Sequence, residues 1–124
     1  MLVGFCQNIN AEAAFAPKQQ AIRQEVIFLK HPKLYAHMKV PRKSEFACLN
    51  KLWTQESHWN PKALNKSSGA FGIAQFLPTT WGNYKMEYKP TSPMKQIDYG
   101  LHYIERRYGT PCAAWRHEKR FGWY

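Results

Sequence analysis

The chain has 124 residues, of which 44% are hydrophobic and 15% aromatic, enough for one compact core and too few for a catalytic domain plus a separate binding module. Eighteen Lys and Arg against eight Asp and Glu leave a formal charge of +10, which points to an anionic partner: a nucleic acid, an anionic lipid or an anionic cell-wall polymer. No stretch approaches the roughly 18 apolar residues of a membrane span, which excludes an ordinary transmembrane protein.

Leu2 to Ile9 is weakly apolar, and Ala11-Glu12-Ala13 has the small-x-small look of a signal-peptide cleavage site. A basic start is missing, so residues 1–16 read as a leader remnant or a disordered N-terminus. Phe5 stands where a lipoprotein signal needs a small residue before Cys6, so no lipid anchor is assigned. Pro17 opens an expected helix to about Lys30, with Ile22, Val26 and Leu29 as its stripe, and Pro32 stops it. A short amphipathic piece follows from Lys33 to Val40, so residues 17–40 read as an N-terminal helical extension and 41–124 as the main domain. Three cysteines, Cys6, Cys48 and Cys112, cannot all pair within one chain.

Ser44 is a candidate N-cap for a helix that ends near Glu56, with Glu45 in its first turn. Phe46, Leu49, Leu52, Trp53 and Glu56 recur at spacings of three and four, placing Glu56 on the apolar face. Desolvation there, together with the negative end of the helix dipole, favours the protonated acid, as a general acid requires. The plain alternative is a polar residue at a fraying helix end. Asn60-Pro61 breaks the helix. Asn65 to Gln75 reads as a small β-hairpin with Gly72 inside it, where a backbone or a ligand can come close. Pro78 starts an expected helix that takes in Trp81 and Tyr84, with Gly82 weakening it. Ser92-Pro93 starts the clearest one, with Met94, Ile97, Leu101, Ile104 and Tyr108 as its stripe and Gly109 as its stop. Thr110-Pro111 starts the last, which Gly122 ends.

Glu56-Ser57, Asn60, Ala63, Ser68-Gly69-Ala70, Gly72-Ile73-Ala74-Gln75 and Pro78-Thr79-Thr80 resemble the signature of lytic transglycosylases with a soluble-lytic-transglycosylase, lysozyme-like domain. Cys48-Leu49, Leu52-Trp53, Gln96-Ile97, Gly100-Leu101, Tyr103-Ile104, Arg107-Tyr108-Gly109, Pro111-Cys112, Ala114-Trp115 and Gly122-Trp123-Tyr124 fall in the order of its compact secreted and phage-borne branch. The resemblance covers residues 44–124 and implies a mostly α, lysozyme-like α+β fold, with one hairpin beside an active-site cleft. It implies cleavage of the MurNAc–GlcNAc β-1,4 bond of peptidoglycan, with Glu56 as the single acid and base and 1,6-anhydromuramic ends as product. Ser57, Gln75 and Gly72 are the substrate-binding residues it implies, and Cys48 with Cys112 resembles that branch's disulfide pair. Two buried free thiols remain the alternative.

Trp59 and Trp81 are candidates for stacking on sugars, while Trp115 is a core or site-wall residue. His58, where the branch usually has glycine, is either a substrate contact or a solvated loop residue. Ala114-Trp115-Arg116 replaces the relatives' Ala-Tyr-Asn and removes their tyrosine hydroxyl. For an ordinary hydrolase the second carboxylate would be Glu87, Asp98 or Glu105, and none stands out. The five histidines have no ligand spacing, and P-loop, Rossmann and Gly-x-Ser-x-Gly patterns are absent, so no metal and no cofactor are expected. The expected partners are peptidoglycan glycan strands and anionic wall polymers, with no specific nucleic acid, and the expected state is a monomer. The expected location is secreted, periplasmic, wall-associated or, for a phage protein, in the virion. The rival readings are a hydrolytic muramidase and a non-catalytic wall-binding or virion structural protein.

Overall fold

The computed structural model describes the backbone of residues 5–124 and the side chains of residues 13–124. The leader cues at Leu2-Val3-Gly4 and the thiol of Cys6 lie outside the described residues. Among the described residues the helices are α1 (Phe5–Lys30), α2 (Pro32–Lys39), α3 (Lys43–Ser57), α4 (Pro78–Asn83), α5 (Pro93–Tyr108) and α6 (Pro111–Phe121). Helix α3 packs mainly on α6, α6 also on α5, and α2 lies across α3 and α5.

Proline and glycine punctuate the last two helices as their chemistry dictates. Ser92 Oγ accepts from the Lys95 amide at 3.3 Å and Thr110 Oγ1 from the Ala113 amide at 3.2 Å; Pro93 and Pro111 follow these caps, and Gly109 and Gly122 close the helices at positive φ. Two expected starts differ. Helix α1 begins at Phe5 and carries Pro17 within it, because the Ala-rich run before the proline is strongly helix-forming. Residues 5–16 form the first part of this helix. Helix α3 begins at Lys43 after Arg42, with no side-chain cap, so Ser44 lies inside it. Glu45 instead reaches across to α6, where its Oε2 accepts from the Cys112 amide at 2.9 Å, and its negative charge suits that helix start.

The core is built around Trp53, fully buried with Leu49, Leu52, Ile73, Ile97 and Ile104. Tyr35 and Ala36 of α2 join it. The Tyr35 hydroxyl donates to Asp98 at 2.9 Å, and Lys39 pairs with the same carboxylate at 3.7 Å, so the second half of the N-terminal extension is docked on α5. Gly100 of α5 faces the Trp53 indole so closely that a Cβ there would stand 2.5 Å from it. Cys48 and Cys112 form a disulfide joining α3 to α6 across 64 residues, as the resemblance implied. Among the described residues no helix is long and apolar enough to cross a membrane.

The expected hairpin over 65–75 is reduced to two isolated antiparallel bridges, Leu64 with Phe71 and Phe71 with Phe76. Left-handed turns at Gly69, Gly72 and Gln75 curl this segment too tightly for a longer ladder. What holds it is Gln96 of α5. This side chain is 1% exposed; its Oε1 accepts from the Ile73 amide at 2.9 Å, and its Nε2 donates to the carbonyls of Pro61 (2.9 Å) and Pro90 (2.8 Å). Replacing it with leucine strands one buried donor and two acceptors. At about 1 kcal/mol for each group, Gln96→Leu is expected to cost about 3 kcal/mol, measured as a drop in the urea midpoint with an unchanged slope.

Candidate active site

Glu56 sits in the last turn of α3, and its immediate surroundings come from segments distant in sequence. It lines a cleft of about 440 Å³ with Asn65, Ser68, Ala70, Gln75, Leu77, Gly122, Trp123 and Tyr124. A second hollow of about 170 Å³ shares Gln75, Leu77, Trp123 and Tyr124 and runs on past Thr80, Tyr103 and Arg107, so the two form one groove. Glu56 therefore faces a groove rather than open solvent. Its carboxyl is pushed up to about 7, first by burial and then by the negative charge of a neighbouring carboxylate, Glu118 of α6. A side chain with that affinity carries a proton over much of the neutral range.

The wall opposite comes from the end of the chain. The Trp53 indole N–H donates to the Tyr124 hydroxyl at 2.9 Å, which in turn donates to the Ala74 carbonyl at 2.9 Å. The Tyr124 phenol is raised well above its ordinary value, by burial first and then by the charge of Glu56, so it stays neutral. Trp123 beside it is 50% exposed, with the Arg107 guanidinium 5.1 Å from its ring centre and His117 edge-on at 4.4 Å. The groove thus offers one acid, one open indole face and amide or hydroxyl groups from Asn65, Ser68 and Gln75.

The other residues singled out from the sequence separate into three groups. Gln75 shares the cleft with Glu56; its backbone is left-handed (φ 54°), held because Nε2 donates to the Ala63 and Gly72 carbonyls at 3.1 and 2.9 Å. Both amide hydrogens are spent on the loop. Ser57 and Gly72 serve the scaffold behind the groove. The Ser57 hydroxyl is buried and donates to the Ile73 carbonyl at 2.7 Å, pinning the end of α3. A Cβ on Gly72 would meet Gln96 Oε1 at 2.5 Å, so the close approach made possible there is to Gln96.

The aromatic candidates are corrected. Trp59 and Trp81 are 6% and 2% exposed, too enclosed to stack on a sugar. Trp59 packs edge-on to Trp53 at 5.1 Å and donates to Asn50 Oδ1 at 3.0 Å; Trp81 packs on Phe76 at 5.2 Å. His58 and Trp115 border a separate open hollow with Asn50, Lys51, Thr54 and Gln55. His58 is the left-handed cap of α3 (φ 52°), which explains glycine in relatives at that place: only glycine adopts it without steric cost.

Trp123, Tyr124 and Glu118 carry no role in the sequence reading. Trp123 and Tyr124 belong to the terminal Gly-Trp-Tyr, whose place in the cleft depends on contacts 50 to 71 residues away. Glu118 was detectable only as the residue four after the buried Ala114, on the same face of α6. None of Glu87, Asp98 and Glu105 lines the groove: Glu87 pairs with Lys95 at 2.5 Å, Asp98 with Tyr35 and Lys39, and Glu105 is exposed near Lys39. Among the described residues no group of three or more His, Cys, Asp or Glu is placed to hold a metal ion.

The family model described as the transglycosylase SLT domain matches residues 37–117. Neither curated proteins nor solved structures give a significant match to the chain.

Proposed function

The chain belongs to the transglycosylase SLT domain family, whose lysozyme-like members act on peptidoglycan, and from that premise we propose that it is a lytic transglycosylase with Glu56 as its only acid and base. The observation that carries this reading is a groove holding one carboxyl, partly desolvated and with its affinity for a proton raised to about 7. The other described lining residues are amides, hydroxyls, aromatics, small or aliphatic residues and Arg107, with no second carboxylate among them to activate a water or capture the sugar.

In the first half of the reaction Glu56 gives its proton to the glycosidic oxygen as that bond to C1 of the muramic sugar breaks. The carbonyl oxygen of the sugar's own 2-acetamido group forms a bond to C1 in its place. In the second half the Glu56 carboxylate takes the proton of the 6-hydroxyl, whose oxygen bonds to C1 and releases the acetamido group. No water is consumed. Trp123 offers a flat apolar face for a sugar ring, of the kind that suits carbohydrate stacking. Gln75 Oε1, with both amide hydrogens engaged elsewhere, is an acceptor for a sugar hydroxyl or amide N–H. The charge of +10 favours encounter with anionic wall polymers and weakens with salt. The disulfide suits a protein that works outside the cytoplasm.

The products test the reading. Purified peptidoglycan digested by the protein is expected to yield fragments ending in 1,6-anhydromuramic acid, whereas a muramidase leaves reducing ends.

A further inference from the structure

Glu118 is buried where α6 packs on α3, 4% exposed, and is absent from the groove wall. One of its oxygens is fixed: Gln55, the residue before Glu56, donates its Nε2–H to Oε1 at 2.7 Å. The other, Oε2, is buried with no hydrogen-bond partner. A buried polar atom in that state is costly and calls for an explanation. Glu56 follows Gln55 on α3, which packs on α6, and its carboxyl feels the negative charge of Glu118. Two ionised carboxylates are both acceptors and cannot bond to each other, whereas a single proton between them makes one a donor to the other.

We propose that Glu118 is a positioning residue that keeps Glu56 loaded: in the resting enzyme its free buried oxygen accepts the hydrogen of the Glu56 carboxyl, and the two share one proton. This rests on the reading of Glu56 as the general acid. When a glycosidic oxygen enters the groove, the Glu56 carboxyl turns its hydrogen from Glu118 to that oxygen. Giving it up leaves two adjacent carboxylates, and their repulsion favours taking a proton back from the 6-hydroxyl in the second half. One charge behind the site thus serves both steps without touching substrate.

None of the other ionisable groups around the pair is hydrogen-bonded to the free oxygen of Glu118. From α5 come the phenols of Tyr103 and Tyr108 and the Arg107 guanidinium, from α6 the imidazole of His117, and from the chain end the Tyr124 phenol. Tyr103 is pushed up to about 12, by burial first and then by Tyr108, and Tyr108 and Tyr124 are also raised by burial. Arg107 lies over the rings of Tyr103, Tyr108 and Trp123 at 5.1 to 5.9 Å. His117 Nδ1 is 2.8 Å from the Trp123 carbonyl.

The test is the pH profile of kcat/KM for cleavage of glycan strands by the full chain, wild type against Glu118→Gln. A general acid works only while protonated, so activity falls as pH rises through its pKa, near 7 in the wild type. Removing the neighbouring charge favours ionised Glu56, and the upper limit is expected to move down by about one pH unit or more. An active Glu118→Gln with an unmoved limit overturns the proposal and leaves the role of Glu56 intact. Should that variant not fold, carboxyl 13C titration of the wild type decides: both carbons responding over the same two steps support a shared proton. Glu118 silent while Glu56 titrates overturns it. That titration also stands if the wild type cleaves no glycan at any pH, a result that would instead count against the proposed function.

Discussion

Glu56→Gln is expected to slow glycan cleavage by roughly 10²–10⁴-fold, the range lost when a positioned proton donor is removed, with the fold unaltered. The amide matches the carboxyl in shape and still reaches the groove, but it has no proton to give at neutral pH. Glu56 is partly exposed, and the core contacts of α3 run through Leu49, Leu52 and Trp53, so stability is not at stake. Initial rates on purified glycan strands, with thermal unfolding of both proteins measured in parallel, check this. A variant that is folded and as active as the wild type would mean that Glu56 is not the proton donor.

The second large effect concerns the disulfide. Cys48 and Cys112 close a loop of 64 residues, and removing such a crosslink frees the unfolded chain by about 4 kcal/mol in the chain-entropy account. That is a large fraction of the stability of a domain this size. The bond ties α3, which carries Glu56, to α6, which carries Glu118 and leads into Trp123 and Tyr124. Cys48→Ser with Cys112→Ser is therefore expected to lower the urea midpoint sharply and to match the wild type under reductant, with loss of cleavage at temperatures where the oxidised protein still works. A change under about 1 kcal/mol would mean that helix packing alone, with Glu45 on the start of α6, holds that junction.

The parts of the fold readable from sequence were those whose ends carry their own chemistry. Ser92-Pro93 and Gly109, or Thr110-Pro111 and Gly122, state where a helix begins and stops, and α5 and α6 begin and stop there. The buried face of α5 was harder to read. Its apolar stripe caught Ile97 and Ile104, but the same face includes Gln96, Gly100 and Tyr103, and nothing in a hydrophobic pattern says that a glutamine is a fully buried hub. The same limit applies to tryptophan: Trp59 and Trp81 are as apolar as a cleft platform, and only packing against Trp53 and Phe76 makes them core. Trp123, the open indole of the groove, lies there because Tyr124 is tied to Trp53 and Ala74, contacts that no local pattern contains. The place of Glu56 at a groove was legible because its spacing on α3 and the surrounding signature pointed the same way. Glu118 sits among Arg116, Lys119 and Arg120 and reads as surface until α6 is laid on α3.

The central claim is that one carboxyl suffices because the sugar supplies its own nucleophile, and the most direct measurement is the mass of the cleaved ends after digestion in ¹⁸O-labelled water. The account predicts muramic ends lighter than the reducing sugar by one water and free of label. Reducing ends carrying ¹⁸O at C1 would contradict it and make the protein a muramidase.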